Sequence, residues 1–213
     1  MIEVIDLGVC DYPKAHAIQK KWVEDKKADS SLKDIILLVE HPAVYTVGRG
    51  GTVETAYVPI VPVERGGQAT YHNEGQLVAY PILTLLGGNR DLHKYLRELE
   101  AIILATLQHF AIEGERNPGA TGVWVRGSGE GENGLKKIAS IGVAVSGWVT
   151  YHGIALNVSN ELEGFSRIQP CGFSSDVMTS MRSILGERCP GMSEVKRVFT
   201  EAFLRRFGKR SES

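Results

Sequence analysis

Apolar residues recur along this chain with two different periods. From Asp91 to Phe110 they fall every three or four positions, at Leu92, Leu96, Leu99, Ile103, Leu107 and Phe110. Lys94, Arg97, Glu98 and Glu100 occupy the other side, so the pattern predicts an amphipathic helix with those four side chains turned outward. A second helix is expected from Asp11-Tyr12-Pro13 to about Lys27, with Asp11 as the capping residue and Ala15, Ile18, Trp22 and Val23 on its buried face. Extended patterns dominate elsewhere. Ile2 to Leu7 reads as a short strand, and Asp34 to Glu40 is a continuous apolar run bounded by charges, as in a strand covered on both faces. Further strands are expected at 43–47, 61–64, 77–83, 122–125, 137–145 and 148–158. Ser175-Asp176 is placed to cap a short helix that Gly186 stops, and Ser193-Glu194 to start a final one through Phe207. Strands and helices mixed without regular alternation predict an α+β fold, with helices packed on a largely antiparallel or mixed sheet. With no repeat and no linker, residues 1–213 are expected to form one domain, with 208–213 as a disordered tail.

Composition narrows the setting. A chain of 213 residues with 43% apolar content can bury a substantial core, and a net charge of -1 points to neither a nucleic-acid nor a membrane partner. The apolar runs at 35–39 and 101–107 are too short to span a bilayer, and Glu3 and Asp6 do not fit an ordinary signal peptide. Cys10, Cys171 and Cys189 are odd in number and lack metal-like spacing, so a cytoplasmic protein without a metal or cofactor is expected. Lys196, Arg197, Arg205, Arg206, Lys209 and Arg210 make the C-terminal end basic, either as a solvated face or as a surface that steers an acidic protein partner.

The best candidates for chemistry lie between Lys136 and Gly172. Cys171 follows a polar loop and sits in a Pro-Cys-Gly turn, and a thiol becomes a nucleophile when a neighbouring base or cation favours its thiolate. Lys137 opens an alternating strand from whose end it can project into a cleft. The reading of Cys171 as a buried filler and the reading of His152 as a satisfied core histidine stay open on the residues alone. Two arginine-glycine loops, Gly48-Arg49-Gly50-Gly51 and Arg65-Gly66-Gly67, are either tight turns or a cradle aimed at one polar group. His72 lies among glycines and polar groups, where a site role is favoured. Tyr71, Tyr80 and Trp148 are expected in the core or in a pocket wall.

Four stretches taken together are recognisable: HPAVYTVGRGG at 41–51, RGGQATYHNEGQLVAYP at 65–81, KKIASIGVAVSGWVTYHGIALNV at 136–158 and PCGF at 170–173. In this order they resemble the lipoyl(octanoyl) transferases. The resemblance implies the fold of the lipoate and biotin protein ligases and a catalytic pair of Cys171 and Lys137. The thiolate would take an octanoyl group from octanoyl-acyl carrier protein and pass it to a lysine on a lipoyl domain, of a 2-oxoacid dehydrogenase subunit or of the glycine cleavage H protein. It also implies a substrate site built from Arg65, Gly66, Gly67, Gln68, Ala69, Thr70, Tyr71 and His72, from Ser140, Ile141 and Gly142, and from His152, Gly153, Ile154 and Ala155, with the glycines making room for the acyl chain. Asn73-Glu74 replaces the Gly-Pro typical of the family, which is expected to bring a carboxylate near the acyl site. The competing readings are an ATP-dependent ligase of the same fold, a thiol hydrolase, and an acyl- or lipoyl-domain-binding protein without catalysis.

Overall fold

The computed structural model describes residues 2–53, 57–127, 134–168 and 177–208. Cys171 with its neighbours, Ser175-Asp176, most of the loop before β9 and the expected tail beyond Gly208 lie outside them. The elements in chain order are β1 (Glu3–Val9), α1 (Tyr12–Ala28), β2 (Ile35–Glu40), β3 (Val44–Val47), β4 (Ile60–Pro62), β5 (Ala69–His72), β6 (Gln76–Ile82), α2 (Leu92–His109), β7 (Gly114–Asn117), β8 (Ala120–Arg126), β9 (Leu135–Ser146), β10 (Val149–Asn157), α3 (Met181–Leu185) and α4 (Met192–Phe207). Seven strands form one sheet in the order β1-β2-β6-β10-β9-β8-β7, and three form a small sheet, β4-β3-β5. Among the described residues, the β1–β2 pair of the large sheet and the β3–β4 pair of the small one are parallel and the other strand pairs antiparallel, so both sheets are mixed, as the irregular pattern predicts.

The uninterrupted apolar run of β2 is explained by burial on both sides. Ile36 and Leu38 join the core beneath α2 and α4, whereas Ile35, Leu37 and Val39 join the core beneath α1. Strand side chains alternate faces, so such a strand has no polar side to show. The α2 helix buries Leu99, Ile103 and Leu107 as its period requires, but two assignments change. Leu92 is exposed at the first turn, and Glu100 is buried. Glu100 escapes the cost of a lone buried charge because Arg97 and Arg116 bond its Oε2 at 2.7 and 3.0 Å, while the Gly122 N–H donates to Oε1 at 3.2 Å. On α1, Gln19 and Lys26 are buried among the expected apolar residues. The Lys26 ammonium reaches Asp34 and the Leu32 carbonyl, both at 2.8 Å.

Helix starts also differ from expectation. Asp11 precedes α1 but makes no side-chain cap. The cap of α3 is Ser180, which accepts from the Ser183 N–H, so the described helix begins later than the Ser175-Asp176 signal suggests. Ser193 lies inside α4, whose N-cap is Gly191. At the basic C-terminal end, Lys196 pairs with Asp6, Arg197 with Glu201, and Arg206 with Glu98. Much of that positive charge is thereby answered within the chain. No described helix is long and apolar enough to cross a membrane.

Candidate active site

The small sheet packs over one end of the large one and leaves a cleft of about 550 Å³, counting space open to solvent. The segment from Arg65 to Thr70 and His72 form one wall. Ser140, Ile141 and Gly142 of β9, paired in register with Ala155, Ile154 and Gly153 of β10, form the other, joined by His152. Of the residues proposed for substrate binding, Tyr71 alone does not face the cleft. It packs instead on Tyr45 and Phe165, at the root of the segment that leads to Cys171. Tyr12 and Val78 line the cleft without having been singled out. Tyr12 was hidden because it sits in a helix-start motif, and Val78 because one valine in an apolar strand carries no special signal.

The two arginine-glycine loops lie against each other through backbone bonds, Gly48 to Gln68 and Arg49 to Arg65, yet their arginines do not aim at one group. Arg49 is exposed. Arg65 is buried and donates to the Thr46 carbonyl at 2.8 Å, to Thr46 Oγ1 at 3.0 Å and to the Gln68 carbonyl at 2.7 Å. Its work includes holding the loop's own shape. Two of the expected glycines sit in close quarters with the protein. A Cβ at Gly142 would stand 2.8 Å from Arg65 Cδ, and one at Gly153 only 2.3 Å from the Ala79 carbonyl oxygen. The room at these positions is filled by the protein itself.

Backbone carbonyls settle how two of the buried histidines, His41 and His72, carry their protons. The Cys10 carbonyl only accepts, so the His41 Nδ1 at 2.6 Å bears hydrogen, and its Nε2 receives the Tyr80 hydroxyl at 2.8 Å. The Tyr12 hydroxyl lies 3.3 Å from His152 Nδ1 on the same face. His152 Nε2 is buried without a hydrogen bond. His72 is fixed in the same way as His41: Gln76 donates to the Tyr71 carbonyl, so its Oε1 must accept from His72 Nδ1, at 2.7 Å. Burial holds all three rings neutral, with pKa values pushed down to about 4 for His41 and about 3 for His72 and His152. His152 also adopts φ 55, a left-handed backbone inside a strand, held by a bond from its N–H to Gln19 at 2.8 Å.

Lys137 is fully buried, but it does not line the cleft among the described residues. Its side chain passes the space above Gly122, where a Cβ would stand 2.8 Å from Lys137 Cε. Its ammonium donates to the Thr121 carbonyl at 2.9 Å and lies over the Trp124 ring. The Lys137 carbonyl accepts the Thr179 N–H at 3.0 Å beside a parallel bridge to Met178, which ties the chain following Cys171 to this strand. Asn157 accepts from Gln76 and donates to the Thr179 carbonyl, so one network runs from His72 to the same seam. Asn73 and Glu74 do not line the cleft. Glu74 is exposed in the turn, whereas Asn73 donates to the Glu161 carbonyl at 3.0 Å and accepts from Asn160, bracing the loop that precedes Cys171. The added carboxylate thus faces solvent instead of the cleft.

Comparison with known proteins agrees with this architecture. The sequence matches the family described as the lipoyl protein ligase A/B catalytic domain over residues 11–204. The octanoyltransferase of Syntrophotalea carbinolica is 46% identical over 198 residues, covering 92% of this chain and 89% of its own. That of Thermosynechococcus vestitus is 43% identical over 211 residues, covering 95% and 88%. A bi-partite lipoate protein ligase from Thermoplasma acidophilum superposes with a TM-score of 0.70 at 14% identity, over 98% of this chain and 85% of that one, which shows the fold. The fold is thus that of the lipoate protein ligases. The chain belongs to the lipoyl protein ligase A/B family and, within it, to the octanoyltransferases.

Proposed function

We propose that this enzyme carries an octanoyl group from octanoyl-acyl carrier protein, through a thioester on Cys171, to the ε-amine of a lysine on a lipoyl domain. In the first step Lys137 takes the thiol proton, the Cys171 thiolate attacks the thioester carbonyl, and the carrier's thiol leaves with that proton. In the second step the acceptor amine attacks the acyl-enzyme, gives up a proton to Lys137, and releases Cys171. The thioester keeps the acyl group activated, so no ATP is consumed. The cleft wall of Arg65, His72, Ser140, Ile141, His152 and Ile154 serves as the acyl site in this reading.

The observation that supports it is the seam at Lys137. Its backbone holds Met178 and Thr179, a few residues beyond Cys171, and its buried side chain is fixed by Thr121 and Trp124. The test is intact-protein mass spectrometry after mixing with octanoyl-acyl carrier protein and no ATP. Wild type should gain one octanoyl group that hydroxylamine removes and a lipoyl domain discharges, and Cys171→Ser should gain none. Lys137→Met, which keeps the buried stem, should slow acyl transfer by about 10²–10⁴-fold while remaining folded. Transfer that requires ATP and free acid, or a Lys137→Met enzyme of near-normal rate, would refute the proposal.

A further inference from the structure

His152 stands in the cleft wall with its Nε2 buried and without a protein hydrogen bond. Two more buried side-chain atoms in the same condition face it: Nε2 of His16, from α1, and Oε2 of Glu64, from the segment between β4 and β5. His16 Nε2 lies 3.1 Å and His152 Nε2 3.7 Å from that oxygen, and all three atoms lie within 4.8 Å of one another. An imidazole and a carboxylate 3.1 Å apart would ordinarily align as donor and acceptor. Here neither does, as expected of donors that converge on a common third point.

We propose that His16, Glu64 and His152 bind one divalent transition-metal ion of the zinc class, with a fourth position open to water. Two imidazole nitrogens and one carboxylate suit zinc, cobalt or nickel, whereas calcium and magnesium prefer oxygen ligands throughout. A tetrahedral zinc site with bonds near 2.0–2.1 Å sets its donors about 3.4 Å apart. The distances of 3.1 and 3.7 Å from Glu64 bracket that spacing, and the two rings are stacked with centroids 5.2 Å apart. Donor states fit as well. Burial lowers the pKa of both histidines, leaving them neutral near pH 7, and a hydrogen bond from Lys20 holds the Glu64 carboxyl down at about 2.

Groups behind the ligands fix their orientation. Lys20 bonds the other Glu64 oxygen at 2.8 Å, and the Tyr12 hydroxyl engages His152 Nδ1 at 3.3 Å, leaving Nε2 to the site. Gln19 holds the His152 backbone in its left-handed conformation, a strain of the kind that persists where surrounding structure over-determines it. An ion here would join α1, the β4–β5 segment and β10, and would fix the His152 ring at the edge of the cleft. His16 is partly exposed, which gives the ion a way in.

The experiment is titration of chelator-treated, full-length enzyme with Co²⁺, read by its visible absorption, followed by displacement with Zn²⁺. One ion per chain is expected, with a thermal unfolding midpoint that rises with added metal. His16→Ala and Glu64→Gln should each weaken uptake at least about tenfold and remove the thermal shift. The absence of saturable one-to-one uptake would overturn the proposal, as would uptake unchanged in either variant. Circular dichroism checks that the variants fold, and if His16→Ala is impaired, Glu64→Gln decides alone. Neither residue lines the cleft, so acyl transfer is a separate readout.

Discussion

The two faces of the large sheet are built from different materials. Beneath α2 and α4 the core is mainly aliphatic and aromatic, with Leu99, Ile103, Phe199 and Phe203 packed on Ile36, Leu77, Ile138 and Ile154. Beneath α1 the apolar residues are interrupted by Gln19, His41, His72 and His152, and by Tyr12 and Tyr80 with their hydroxyls engaged. One helix covers that face where two cover the other. A buried polar group adds little stability even when satisfied, whereas a well-packed ring contributes several kcal/mol. The α2/α4 face is therefore where stability is made, and the α1 face is where orientation of functional groups is made.

The strongest way to break this comparison is to damage the apolar face alone. Phe203 is fully buried between Phe199 and Phe207, and Phe203→Ala should cost about 3–5 kcal/mol in denaturant unfolding. Acyl transfer per folded molecule should hardly change. A matching loss of turnover in the folded fraction would mean that the two faces are not separable.

Acid tests the other face. His41 and His72 have folded pKa values of about 4 and about 3, below the ordinary 6.5, because burial disfavours their charged forms. Below pH 6.5 the unfolded chain binds protons that the folded chain refuses, so stability should fall as pH drops from 6.5 toward 4. Each ring costs about 1.4 kcal/mol per pH unit in that window, or about 3 kcal/mol for the pair by pH 5.5. Urea unfolding at pH 7.5, 6.5 and 5.5 measures it, and because His152 is held neutral in the same way, His72→Gln should flatten the slope by about a third. A flat profile would show that these histidines are not held neutral.

The two faces were not equally legible in the sequence. Periodicity found α2 and the doubly buried β2 because apolar side chains must be hidden wherever they occur. It misplaced Glu100, whose burial depends on Arg116 and the Gly122 N–H, groups that meet it only after folding. It passed over Gln19 and Lys26 on α1 for the same reason, and over β7, whose Gly114–Asn117 segment is a polar edge strand. The cleft was legible in the motifs at 65–81 and 136–158, which supply most of its walls, but the contacts those residues make were not. Gly142 and Gly153 accommodate Arg65 and the Ala79 carbonyl, and Asn73 braces a loop, relations that no spacing along the chain reveals. The grouping of His16, Glu64 and His152 also brings together residues from three separate elements.

The finest test compares one residue type at the same position on the helices of the two faces. Asp91 begins α2 and Asp11 begins α1, each just before the first helical residue. Asp91 accepts the Lys94 N–H at 3.0 Å, whereas Asp11 makes no such bond. Asp91→Ala should then cost about 1 kcal/mol in thermal or urea unfolding, and Asp11→Ala only a few tenths, from the helix dipole alone. The two effects should add in the double variant, since the helices cover opposite faces and the caps share no partner. Equal costs would place a cap on α1 that the geometry lacks; a cost confined to Asp91 would mean that even helix ends are better finished on the face that carries stability than on the face that carries the site.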